Sequence, residues 1–318
     1  MSGLIYCDCV NTNGSAIVVA INGSGARPGA AVRRVLGPVL SLCLMLLLPA
    51  AAWAADITRE SLSSKLLGRD YFFSVYKPPG YSPDKGPYPV VYLLHGANGD
   101  ENDWPVKGQV GPTLDRLIGE GKLQPMIVVM PGHKLMWWVD GNVEPAESVL
   151  FEELLPTVEQ RYPVLKTREG RAIAGLSAGG HAAIRQALKR PQMFAAIAAL
   201  SPAIYDPEPP ANSSALKDQQ WFKNGKFDKQ TWARLNWQPL WDGYKNQPVR
   251  VPMYVNSGDH DKFDIVIHAA RFYVEVRALQ PGQAEFRVVD GDHEWPVWAA
   301  TIGDAMSYLG RHMAGAPQ

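Results

Sequence analysis

"RAIAGLSAGGHAAI" (Arg171–Ile184) passes from an apolar, strand-like run straight into an alanine-rich segment, with a single serine, Ser177, at the junction. Gly175-Leu176-Ser177-Ala178-Gly179 is a G-x-S-x-G motif placed where a strand ends and a helix begins. A serine on so sharp a turn holds a strained backbone and points its hydroxyl out of the sheet. Bulky neighbours there would collide with the adjoining strand and helix. The helix start also brings its positive dipole end and free N–H groups to the same point. The stretch predicts a nucleophilic serine on an α/β scaffold.

The flanking chain has the matching rhythm. "PVVYLLHG" (Pro89–Gly96) and "PMIVVMPG" (Pro125–Gly132) are continuous apolar runs, as expected of strands buried on both faces. "DYFFSVYKPPGY" (Asp70–Tyr81) alternates like an exposed or edge strand and stops at a Pro-Pro-Gly turn. "FAAIAALSPAIY", "VPMYVNSGD" and "EFRVVDGD" supply three more strands. Helical spacing marks "GPTLDRLIGEGK", "AGGHAAIRQALKR", "DIVIHAARFYVEVRAL" and a last segment after Trp295. "AESVLFEELLPTVEQRY" reads as an amphipathic helix interrupted or bent at Pro156. Alternating strands and helices predict an α/β fold with a mainly parallel, doubly wound sheet. Ligands of such sheets sit at the carboxyl ends of the strands, where His95, Ser177, Asp261 and His293 fall. Residues 205–250 break the rhythm with Trp221, Phe222, Trp232, Trp237 and Trp241 but no clear strand, and are expected to form an aromatic-rich cap over the cleft.

A serine needs a base, and in this fold the order along the chain is serine, acid, histidine. His181 lies one helical turn from Ser177 in the same helix, suited to packing or substrate contact. His268 and His312 belong to helical segments. His293, in "VVDGDHEWPVW", follows the last strand and can reach back over the sheet edge. "YVNSGDHDKFD" offers Asp259, Asp261 and Asp264 as the acid. Asp290 and Asp292 compete, although they lie so close to His293 that turn roles suit them. A histidine base must be neutral to take the serine proton, so activity should rise with pH.

Together, "PVVYLLHGANGDENDW", "MIVVMPG", "RAIAGLSAGGHAAI", "FAAIAALSPAI", "NSGDHDKF" and "GDHEWPVW" resemble the "putative esterase" family of α/β-hydrolases. That family includes S-formylglutathione hydrolases, feruloyl and acetyl-xylan esterases, enterochelin esterases and mycolyltransferases. The resemblance spans about Tyr71 to His312. It implies Asp261, the end of a G-x-x-D motif, as the acid and His293 as the base. It also implies Ala97, after His95-Gly96, and Ala178 as the two backbone donors of an oxyanion hole, with His95 supporting the loop. Trp104, Trp137, Trp138 and His181 are the substrate-side candidates, and the two tryptophans of "HKLMWWVDGN" suit stacking on a sugar or an aromatic acyl group as well as they suit packing. The implied activity is serine ester hydrolysis through an acyl-enzyme, on a small-molecule or sugar-linked ester and with neither metal nor cofactor. "GDHD" lacks an organised ligand set from elsewhere. An acyltransferase with the same triad, or a noncatalytic carbohydrate- or siderophore-binding protein on the same fold, is the alternative.

Bulk properties agree. Of 318 residues, 46% are apolar and 19% charged, with 31 basic against 31 acidic, so no electrostatic footprint for nucleic acid exists. Arg33-Arg34, an apolar stretch from Val35 to Leu48 and the small-residue pattern Ala52-Trp53-Ala54 make a secretory signal peptide. The stretch is too short for a comfortable span. Cleavage is expected near Ala54, dividing the chain into 1–54 and a hydrolase domain at 55–318, with a periplasmic or secreted product and no stable membrane span. Cys7, Cys9 and Cys43 all lie in the part removed. Residues before about Val32 are unusual for a leader, and translation is expected to start downstream of Met1.

Overall fold

Each buried apolar run of the sequence becomes a strand of one sheet in the computed structural model, which describes residues 56–133 and 137–314. The expected signal peptide and the three cysteines lie outside the described residues, as do residues 134–136. In chain order the strands are β1 (Asp56–Ser64), β2 (Arg69–Lys77), β3 (Val90–Leu94), β4 (Ile127–Pro131), β5 (Arg171–Leu176), β6 (Ala196–Leu200), β7 (Phe222–Lys223), β8 (Lys226–Phe227), β9 (Met253–Gly258) and β10 (Ala284–Val289). Apart from the β7–β8 hairpin they form an eight-stranded sheet ordered β1-β2-β4-β3-β5-β6-β9-β10. Its β1–β2 and β2–β4 pairs are antiparallel, and β4 through β10 run parallel.

Alternate residues of each strand serve opposite layers, which is why the central runs are apolar throughout. Val90, Tyr92 and Leu94 pack with the helices Ala178–Lys189 and Ile265–Leu279 on one face. Val91 and Leu93 pack with Val110–Gly119 and Trp295–His312 on the other. The parallel run leaves the carboxyl ends of β3, β5, β9 and β10 at the same end of the sheet, with β6 between β5 and β9, and the loops that follow them carry His95, Ser177, Asp261 and His293.

One local reading is corrected and another takes a specific form. The stretch at Asp70–Tyr81 is not an edge strand: β2 lies between β1 and β4, and its apparently exposed positions are buried too. Ser74 is 2% exposed, and the Tyr76 hydroxyl donates to Asp115 Oδ1 at 2.7 Å. The edge is β1, whose polar sequence DITRESLSS carries only Ile57 and Leu62 as apolar anchors. Such a sequence suits a strand that buries one face and keeps charge on the other. The interruption read at Pro156 takes the form of a change of helix type. A π-helical stretch, Val149–Leu154, precedes Leu155–Arg161, and the widened turn accommodates the missing N–H and the ring of proline.

The helix Ala178–Lys189 is buried at eleven of its twelve positions, which accounts for its alanines and glycines. Its one buried cation, Arg185, meets Glu147 at 3.1 Å, and Lys189 and Arg190 bond the other oxygen of that carboxylate. Burial opposes ionisation of Glu147, but this ring of three cations overrides it and holds the carboxyl down at about 2. The ring fastens the helix that begins at Ser177 to the 146–161 helix.

Candidate active site

Ser177 follows β5 directly with φ 51° and ψ −114°, a conformation that side chains rarely adopt, and the helix Ala178–Lys189 starts at the next residue. The turn closes because of its glycines. A Cβ on Gly175 would sit 2.6 Å from the Gly179 carbonyl carbon, and one on Gly179 would sit 2.6 Å from the His95 carbonyl oxygen. The backbone holds the turn with Ser177 N–H donating to Leu200 O at 2.9 Å, and with the Ser177 carbonyl accepting from His181 and Ala203.

The Ser177 hydroxyl lies 2.9 Å from His293 Nε2, and His293 Nδ1 lies 2.8 Å from Asp261 Oδ2. A carboxylate can only accept, so Nδ1 carries the imidazole proton and Nε2 is free to accept from the serine. Asp261 is 3% exposed, and its second oxygen accepts the Phe263 N–H at 3.0 Å. The imidazole stands edge-on between Phe263 and Trp298, each with its centroid 4.9 Å away. The other aspartates have different work. Asp259 takes the N–H of Gly291 and pairs with His260, whereas Asp292 Oδ1 takes the N–H groups of both Lys262 and His293. They join the β9 and β10 loops that present Asp261 and His293. Asp259, His260 and Asp290 bring ligand-type atoms within 4.8 Å of one another, and all three residues are exposed.

His95 acts on the loop after β3. The His133 N–H donates to His95 Nε2 at 2.9 Å, so the His95 proton resides on Nδ1, which donates to Gly96 O at 2.6 Å. In a trans peptide C=O and N–H point opposite ways, so a grip on the Gly96 oxygen also sets where the Ala97 N–H points. Ala97, Gly96, Leu176 and Ser177 line a cleft of about 410 Å³, closed further by Phe263, Trp295 and Trp298. Ala178 lies at the first turn of its helix, directly after the serine.

Of the four substrate-side candidates only Trp137 borders this cleft, with Tyr205, Ser213 and Ser214 from the 205–250 segment. Trp104, Trp138 and His181 are packing residues instead. The Trp104 indole N–H donates to Leu94 O and that of Trp138 to His95 O, both at 3.0 Å, so each is spent on the backbone behind the cleft. His181 is fully buried beneath Trp137, Trp221 and Trp232. Phe263 and Trp298, which hold the imidazole, escaped the sequence reading. Each lies within five residues of a candidate, but an aromatic at that spacing looks the same whether it packs on a core or on the His293 ring.

Burial pushes the pKa values of five histidines below the ordinary range: His95, His268, His312, His133 to about 3, and His181 well down. A histidine whose folded pKa is depressed stays neutral in the fold while the unfolded chain binds the proton, so stability is lost as pH falls below about 6.5. Asp115 and Asp218, raised by burial and in the second case to about 6, act in the opposite sense but are fewer. The melting temperature should therefore fall steadily from pH 7 to pH 5. A melting temperature unchanged over that interval would contradict these burial assignments.

The sheet order, the serine turn and the loops at the strand ends define the α/β-hydrolase fold. A family model described as "Putative esterase" matches residues 64–309. The chain belongs to this esterase family. It is 36% identical over 171 residues to an endo-1,4-beta-xylanase/feruloyl esterase of Xylanibacter ruminicola, a match covering 51% of this chain and 24% of that protein. The chain spans about a quarter of the length of the curated relatives it first matches. Among solved structures, a ferulic acid esterase superposes with TM-score 0.71 at 26% identity, over 82% of this chain and 99% of the other. An S-formylglutathione hydrolase from Agrobacterium tumefaciens shares the fold, with TM-score 0.64 at 21% identity over 83% and 97% of the two chains.

Proposed function

We propose that the chain is an exported serine carboxylic-ester hydrolase that works through Ser177, His293 and Asp261 by way of an acyl-enzyme. The observation that carries this reading is the unbroken pair of contacts from Ser177 Oγ to His293 Nε2 and from His293 Nδ1 to Asp261, at 2.9 and 2.8 Å. Ser177 Oγ attacks the ester carbonyl carbon as its proton passes to Nε2, and Asp261 stabilises the resulting imidazolium. The Ala97 and Ala178 N–H groups receive the oxyanion, each worth about 3–4 kcal/mol of barrier by comparison with other acyl-transfer enzymes. As the carbonyl re-forms, the C–O bond to the alcohol breaks and the alcohol leaves with the Nε2 proton. Water then repeats the sequence, giving its proton to Nε2 and its oxygen to the acyl carbon, and Ser177 regains its hydrogen as the acid departs.

The cleft is larger than an acetyl group needs, and aromatic rings form much of its wall, which supports an ester with a bulky or aromatic acyl group. The names of the relatives, feruloyl esterase and ferulic acid esterase, point the same way. Purified protein should hydrolyse methyl ferulate with kcat/KM above that for an acetylated sugar. Equal rates, or faster acetyl release, would overturn the aromatic preference. Transfer of the acyl group to added sugar alcohol in place of water would favour an acyltransferase.

Export rests on the arginine-apolar-small pattern of residues 33–54. Protein recovered from the cell envelope or medium should have an intact mass corresponding to a start near Ala55. A cytoplasmic product still carrying Cys43 would refute the leader.

A further inference from the structure

Trp137 lines the cleft beside Ser177 and yet is only 1% exposed, so its indole is a fixed part of the wall. Two sets of contacts fix it. Behind the ring, His181, Trp221 and Trp232 pack at centroid distances of 5.2, 5.2 and 5.4 Å, all near-perpendicular to it. His181 comes from the helix that starts after Ser177, and the two tryptophans come from the 205–250 segment. Along the backbone, the same segment grips the loop that carries the ring. The Asp218 carboxylate accepts the Trp137 N–H, and it also accepts the Gln220 N–H at 2.9 Å. Gln220 is fully buried: its Oε1 accepts the Val143 N–H at 2.8 Å and its Nε2 donates to Glu144 O at 2.9 Å. Its carbonyl takes the Asn142 N–H at 3.0 Å, and a Cβ on Gly141 would sit 2.7 Å from its Oε1.

A lid would meet this loop with a few rim contacts. Here the 218–232 stretch makes a buried polar mould for the loop and an aromatic backing for its tryptophan. We propose that Trp137 sets how large a group the cleft admits beside Ser177, and that Asp218 and Gln220 are positioning residues by which the 205–250 segment holds it there. The inference rests on the ester-hydrolase reading of the same cleft. A rigid indole excludes bulk by steric conflict, and discrimination per added methylene in such a wall is about 10- to 200-fold. Removing or releasing the ring should therefore relax selection against large groups.

The test compares two ester series, one varying the acyl group at constant 4-nitrophenol and one varying the alcohol at constant acetate. In each, the readout is the ratio of kcat/KM for the largest member to that for the smallest. In at least one series Trp137→Ala should raise this ratio by about 10-fold or more, with Trp137→Phe in between and KM for the large ester carrying most of the change. Asp218→Ala should move the ratio in the same direction. Asp218→Asn keeps an acceptor oxygen for the Trp137 N–H and should restore the wild-type ratio, which a general loss of stability would not do. If Asp218→Ala melts below the assay temperature, Asp218→Leu, of nearly the same shape, makes the same comparison. Unchanged ratios in both series for Trp137→Ala would overturn the assignment of the wall. Unchanged ratios for Asp218→Ala, with Trp137→Ala altered, would overturn the positioning role. Absence of turnover in the wild-type protein on every ester would instead sink the hydrolase reading itself.

Discussion

Ser177→Ala is expected to lower kcat by about 10⁶-fold, the scale on which a serine protease loses rate when its nucleophile is removed. The expectation follows from position. Ser177 is held at φ 51° between β5 and the Ala178–Lys189 helix, with its hydroxyl 2.9 Å from the His293 imidazole. No other hydroxyl among the described residues is shown bonded to His293. Alanine keeps the Cβ that the turn already accommodates, so circular dichroism and the melting temperature should stay close to wild type while turnover vanishes. A residual rate of about 10³- to 10⁴-fold over water should persist, because the Ala97 and Ala178 donors and the cleft remain. A variant that kept a tenth of the wild-type kcat would remove Ser177 from the chemistry.

Asp261→Asn should lower kcat by about 10³- to 10⁴-fold, the cost of the equivalent change in a serine protease. The amide can present its NH₂ to Nδ1, which forces the imidazole proton onto Nε2 and leaves nothing to accept from Ser177. It also removes the charge that stabilises the imidazolium. The Asp261 side chain is fully buried against the ring, so little solvent screening softens the change. Asp259→Asn and Asp292→Asn alter groups that bond backbone N–H donors at the two loops, and each should cost far less. Near-normal kcat in Asp261→Asn, together with its loss in Asp259→Asn or Asp292→Asn, would reassign the acid.

The sequence made the parallel half of the sheet readable because strands buried on both faces have to be apolar at every position. β3, β4 and β6 are such runs, and so are β5 after Arg171 and β9 up to Val255, where Asn256 and Ser257 follow. β1 was not, since an edge strand burying one face needs only Ile57 and Leu62 as anchors, and its pairing with β2 is a tertiary fact. At the candidate site, motif and chain order single out Ser177 and His293, and the structure brings their side chains to 2.9 Å. Asp261 needed the family resemblance to stand apart from Asp259 and Asp292, and the geometry now distinguishes them by burial and by partner. The substrate side was the least legible. A tryptophan carries the same letter whether its N–H is spent on a buried carbonyl, as in Trp104 and Trp138, or its ring borders a cleft, as in Trp137. The 205–250 segment was opaque for a related reason: Gln220 and Asp218 are polar residues whose hydrogen-bond partners lie some 75 to 80 positions away in the chain.

The central claim is that Ser177 is the atom-bearing nucleophile, and the most direct measurement is where an active-site phosphonate attaches. The protein is incubated with a fluorophosphonate, digested with trypsin and mapped by mass spectrometry. Attack by Ser177 Oγ on phosphorus expels fluoride, so the account predicts one phosphonyl group on the peptide Ala172–Arg185, fragmenting to Ser177, and its loss in Ser177→Ala. A label on any other residue, or ester turnover by a protein that takes up no label, would contradict it.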